Sequence, residues 1–92
     1  MVEILLGEMI RSGDVKGIFD LFNKAGNWDT RETAVVALRN MVWDRSNIEY
    51  NKDEMVKALK QIIEVCEFET SGGTYRTNCI DMAKGLLKEI EG

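Results

Sequence analysis

Ninety-two residues allow one small domain and exclude two independent cores. Hydrophobic residues at 45% and charged residues at 30% belong to a folding chain and not to a disordered one. Twelve basic against sixteen acidic side chains give a net charge of -4, and histidine and proline are absent. That balance argues against bulk nucleic-acid or acidic-membrane binding and removes the commonest general base and metal ligand. No enzyme, cofactor or metal site is expected.

The segment Met1-Val2-Glu3-Ile4-Leu5-Leu6-Gly7-Glu8 lacks the basic start of a signal peptide, and two glutamates interrupt its apolar run. No stretch approaches the ~20 apolar residues of a membrane span. Two cysteines are too few for a disulfide scaffold. The expectation is a reduced, cytoplasmic protein with no membrane segment.

Helical spacing recurs along the whole chain. Val2, Leu5, Leu6, Met9 and Ile10 mark a first helix that ends near Ser12-Gly13 at a glycine C-cap signal. Asp14 caps a second helix carrying Val15, Ile18, Phe19 and Phe22, which stops at Ala25-Gly26-Asn27. Asp29 with Glu32 reads as the capping pair of a third helix, with Ala34, Val35, Leu38, Met41 and Val42 on one face. Residues 44–51 form a polar connector holding Ile48 and Tyr50. Asn51 with Glu54 repeats the capping pattern and opens a fourth helix through Met55, Val56, Leu59, Ile62, Ile63 and Cys66. Thr70-Ser71-Gly72-Gly73 is a loop. A last helix from about Thr74 turns Cys79, Ile80, Ala83, Leu86, Leu87 and Ile90 inward. The core expected from this pattern is led by Phe19, Phe22, Leu38, Leu59, Ile63 and Leu86.

Part of the chain matches itself. Val15-Lys16-Gly17-Ile18 aligns with Val56-Lys57-Ala58-Leu59 at an offset of 41 residues. Arg31, Ala34, Leu38 and Met41 align with Arg76, Cys79, Ala83 and Leu86 at 45. The domain (1–92) therefore divides into a capping helix (1–13), a first helical hairpin (14–43) and a second (51–91). The period is that of HEAT and armadillo units, and the expected fold is an all-α, right-handed stack of antiparallel hairpins with about five helices.

At about 100° per residue, Val36, Arg39, Asn40 and Trp43 fall on the side of the third helix away from Leu38. An outward tryptophan beside an arginine and an amide is a recognition mix, because the indole offers a large rigid contact and Asn both donates and accepts. The alternative is that Trp43 folds back onto Ile48 and Tyr50 and plugs the connector. The run Ala37-Leu38-Arg39-Asn40-Met41-Val42 resembles the third helix of armadillo repeats. That resemblance implies that Asn40 bonds the main chain of an extended peptide, with Val36 where the family often has tryptophan. Gly85 stands at the corresponding place in the second unit, with Asp81, Lys84 and Lys88 in place of Val36, Arg39 and Trp43, so a ladder of asparagines is absent. HEAT repeats share the architecture without the asparagine.

The function expected is non-catalytic binding of a protein or peptide by Val36, Arg39, Asn40, Trp43, Lys84 and Lys88, the two lysines favouring an acidic partner. A nucleic-acid-associated factor using Arg39, Lys84 and Lys88 as a basic strip is one alternative. A homo-oligomer, self-associating through Trp43 as a scaffold or inhibitor, is another. Cys66 and Cys79 are expected as small buried residues of adjacent helices. A disulfide between them requires their Cα atoms to lie within about 7 Å. A redox role requires electropositive surroundings, which the local sequence does not supply. Ser71-Gly72-Gly73-Thr74 lacks the Gly-Lys-Ser/Thr ending of a P-loop and reads as a turn.

Overall fold

The computed structural model of the chain describes residues 2–44 and 49–91, with side chains from Leu6 onward. Five helices account for nearly all of it: α1 (Val2–Ser12), α2 (Val15–Lys24), α3 (Trp28–Trp43), α4 (Lys52–Phe68) and α5 (Gly73–Glu91). The expectations for the side chains of Val2 and Leu5, and for Ile48, lie outside the described residues.

Local chemistry sets most of the boundaries. Gly13, at φ 70°, ends α1: its N–H bonds the Ile10 carbonyl at 3.2 Å and the Asp14 N–H bonds the Met9 carbonyl at 2.9 Å. A Cβ at Gly13 would run into the Glu49 carbonyl, so only glycine lets the connector pass this corner. Asp14 caps α2 by accepting from the Gly17 N–H at 2.9 Å. Asn51 caps α4 by accepting from the Glu54 N–H at 3.0 Å.

The start of α3 differs from the sequence expectation. Asn27, not Asp29, is its N-cap, with Oδ1 accepting from the Thr30 N–H at 2.8 Å. The earlier start puts Trp28 at the first helical position, where its ring covers Gly72 of the α4–α5 connection. Asp29 is left in the first turn, where its charge favours the helix dipole.

Short connections make α2 and α3, and α4 and α5, antiparallel neighbours. The hairpins then pack like on like, α2 against α4 and α3 against α5, while α1 packs on α3 and α2. Two bonds report the relation of α3 to α5. Asn78 Nδ2 donates to Glu32 Oε2 and Trp43 Nε1 donates to Glu89 Oε2, both at 3.0 Å and both spanning 46 residues. A constant separation near the two ends of a pair means that α3 and α5 run parallel and in register. The molecule is a slab of 37 × 35 × 17 Å, its thinnest dimension that of two helix layers at 8–10 Å spacing.

The core runs between the layers. Ile18 and Phe22 of α2, Val35, Leu38 and Met41 of α3, Met55, Leu59 and Ile62 of α4, and Cys79 and Ala83 of α5 are all fully buried. Phe19 and Ile63, expected to lead the core, are only half-buried at its edge. Phe22, as expected, is fully buried, and on α4 the neighbouring Ile62 takes the interior position that Ile63 was expected to fill.

Candidate functional site

Trp43 closes α3 with its side chain 54% exposed. Its indole is nevertheless held in place. Glu89 of α5 accepts its Nε1–H at 3.0 Å, and the Arg39 guanidinium lies 4.9 Å from the ring centroid. Arg39 sits one turn earlier on the same helix face. Its Nη1 reaches Met82 Sδ of α5 at 3.5 Å. Tryptophan, arginine and the α5 side chains thus form a strip bridging the two parallel helices.

Three open grooves meet at this indole. The first, about 230 Å³, lies between α3 and α5 and is lined by Arg39, Trp43, Asp81, Met82, Gly85, Leu86 and Glu89. The second, about 630 Å³, lies towards α1, with Gly7, Ile10, Arg11, Asn40 and Asp44 beside Trp43. The third, about 720 Å³, is bounded by Val42, Trp43, Tyr50, Lys52, Glu89 and Ile90. Space is open over Gly85 in the first: no atom lies within 4 Å of where a Cβ would stand.

The six residues selected from the sequence take different positions. Asn40 is exposed and lines the groove towards α1; among the described residues its amide makes no side-chain hydrogen bond. Val36 is half-buried on α3. Arg39 is half-buried under the Trp43 ring. Lys84 and Lys88 are exposed on α5, outside the Trp43 grooves. Two carboxylates, Asp81 and Glu89, share the α3–α5 groove with Arg39. The groove is therefore of mixed charge. Trp43 and Tyr50 line one groove together, but the indole does not sink into the interior.

Sequence reasoning missed Glu89, Met82 and Trp28. Glu89 and Met82 were accessible in principle, since aligning α3 with α5 at about 45 residues places both near Trp43 and Arg39. Trp28 follows from no spacing rule, because its partner Gly72 belongs to a loop.

A second cluster lies at the opposite end of the same helix pair. The Arg31 guanidinium is 4.6 Å from the Trp28 ring centroid and 5.5 Å from that of Phe22, and its Nη1 is 3.5 Å from Glu69 Oε1. Arg76 donates from Nη1 to the Cys66 carbonyl at 2.7 Å. At this end of the hairpin Cys66 and Cys79 are free thiols, both fully buried. The Cys66 thiol is held below its ordinary range, first by its interaction with the Cys79 thiol; burial opposes this, and the Arg31 and Arg76 guanidiniums add to the lowering. Cys79 is pushed strongly upward, first by the same interaction and then by burial. The electropositive setting that the local sequence does not supply comes from Arg31, far away in the chain, and from Arg76 across the hairpin.

No protein-family model, curated protein or solved structure matches this chain. Among the described residues, no group of three His, Cys, Asp or Glu is arranged to hold a metal ion, and no helix is long and apolar enough to cross a membrane.

Proposed function

We propose that this protein is a non-catalytic binding module for a protein segment, and that the segment lies across the outward face of α3 and α5. The observation that carries the reading is Trp43. A half-exposed indole is pinned by Arg39 and Glu89 and stands where three grooves meet. A ring immobilised before contact loses little side-chain entropy on binding, which is the property of an aromatic anchor at an interface.

The parts divide the recognition. Trp43, Met82 and the space over Gly85 take an apolar side chain of the partner. Asn40 offers a donor and an acceptor to its main chain. Lys84 and Lys88 favour acidic residues flanking the apolar one. The parallel, in-register packing of α3 on α5 and the contact of α2 with α4 support the HEAT/armadillo-like, right-handed stack as the scaffold behind this face.

Selection of peptides from a random library on the immobilised chain tests the proposal. The selected peptides are expected to share an apolar residue with acidic neighbours and to lose at least tenfold in affinity for Trp43→Ala. Peptides that bind Trp43→Ala as tightly as the parent would overturn it. Affinity for DNA or RNA that falls steeply with salt would favour the nucleic-acid reading instead.

A further inference from the structure

We propose that two copies of this chain join as a two-fold symmetric dimer through the free end of the helix stack, the face of α4 and α5 turned away from the first hairpin. Both helices carry the same apolar, lysine, apolar, glutamate row on that face. One axis pairs opposite charges along α4 and apolar side chains along α5.

Helix α1 covers one end of the stack by packing on α2 and α3, whereas the packing partners of α4 and α5 are each other, α2 and α3. A terminal unit that stays bare needs a polar outer face. This one is mixed. On α4, Val56, Lys60, Ile63 and Glu67 fall on one side at helical spacing, and on α5, Ile80, Lys84, Leu87 and Glu91 repeat the same spacing. The apolar members are half-buried and the charged ones exposed. Lys60 Nζ lies 3.8 Å from Glu91 Oε1, so the two rows meet on a single face. Val56 lines an open groove of about 490 Å³ beside that ion pair.

Two contacts set the height of α5 against α4: Lys60 beside Glu91, and Arg76 Nη1 on the Cys66 carbonyl at 2.7 Å. Midway between them, Ile63 of α4 is level with Ala83 and Lys84 of α5. A two-fold axis crossing both helices at that height lays each helix antiparallel on its own copy. Lys60 then faces Glu67 of the second copy, and Ile80 faces Leu87 of the second copy, each pair occurring twice. Ile63 of the two chains meets at the axis. Lys84 also stands near the axis, where Glu64, exposed at the same height on α4, balances its charge. This complementarity selects a second copy of the chain, because one row supplies both the lysine and the glutamate that it needs. A face two helices wide and about 25 Å long covers roughly 500 Å² per chain, at the lower end for a specific interface, so the dimer exchanges with the monomer. Glu89, which holds the Trp43 indole, lies on the other side of α5, and the dimer leaves that indole open.

Sedimentation velocity of the full chain, from low micromolar to submillimolar concentration, is expected to show monomer giving way to dimer and to nothing larger. Lys60→Glu and Glu67→Lys each bring like charges together, and each should raise the dissociation constant by about tenfold or more. Mixed in equal amounts, the two variants should dimerise again, and the double variant should recover on its own. Rescue on mixing requires that α4 meet α4 antiparallel. Both side chains are exposed, so the variants keep the fold, which circular dichroism checks. Trp43→Ala should dimerise like the parent. A chain that stays monomeric throughout the range would overturn the proposal and leave the face to a different partner. A dimer that Lys60→Glu leaves intact, or that Trp43→Ala abolishes, would overturn it as well.

Discussion

The indole of Trp43 and the carboxylate of Glu89 are bonded across two parallel helices, 46 residues apart in the chain. Because Arg39 occupies a face of the same ring, the tryptophan is fixed by a charge of each sign. Neither contact lies in the core, so both can be removed without unfolding the chain. Glu89→Ala is expected to change stability by less than about 1 kcal/mol. It should also broaden the emission of Trp43, read in a Trp28→Phe background. Glu89→Gln, which keeps an acceptor, should leave the emission close to the parent. Time-resolved anisotropy of the single-tryptophan chains checks both.

Leu38 and Asn40 are two residues apart on α3 and face opposite ways, one fully buried and one exposed. Leu38→Ala opens a cavity between the layers and should cost about 2–5 kcal/mol. Asn40→Ala should stay within about 0.5 kcal/mol of the parent while weakening the selected peptides. Urea denaturation of the two variants separates the roles. An Asn40→Ala chain destabilised like Leu38→Ala would make the amide structural.

Gly72 and Gly85 make opposite demands. Gly72 has φ 105°, and a Cβ there would stand 2.6 Å from Trp28 ring atoms. Gly72→Ala should therefore destabilise by more than about 1 kcal/mol through combined strain and clash. Gly85 lies inside α5 with open space where its Cβ would be. Gly85→Ala should stabilise by about 0.5–1 kcal/mol. Thermal melts of the two variants should move in opposite directions.

Arg31 joins three parts of the chain: it lies near the rings of Phe22 and Trp28 and pairs with Glu69. Its loss is a loss of packing as well as charge. Arg31→Ala should destabilise by about 1–2 kcal/mol, and Arg31→Lys should recover little of it, because an ammonium cannot stack as a planar guanidinium does. A salt series adds a check: if the exposed edge of the Glu69 pair were the main contribution, the difference would vanish in high salt.

The parts of this fold that were readable in the sequence are those governed by local chemistry. Asp14, Asn51 and Gly13 act within one helical turn, so their roles follow from residue type and spacing. The start of α3 was misread because Asn27 and Asp29 are both good caps, and what decides between them is Trp28 meeting a glycine far along the chain. The exposure of Asn40 and Trp43 follows from 100° arithmetic on one helix. The rest of the site does not: Glu89, Met82 and Asp81 come from α5 and depend on how the hairpins register. The same distance limit hid the effect of Arg31 on Cys66, since the two come together only through tertiary packing.

The central claim is that a partner segment lies over the α3–α5 face. Backbone amide shift mapping of the isotope-labelled chain, titrated with a selected peptide, tests it most directly. The account predicts perturbations at Arg39, Asn40, Trp43, Asp81, Gly85 and Glu89, together with the Trp43 indole N–H. Perturbations confined to the α2–α4 groove, at Lys16, Phe19, Lys57 and Gln61, with the Trp43 indole unmoved, would contradict it.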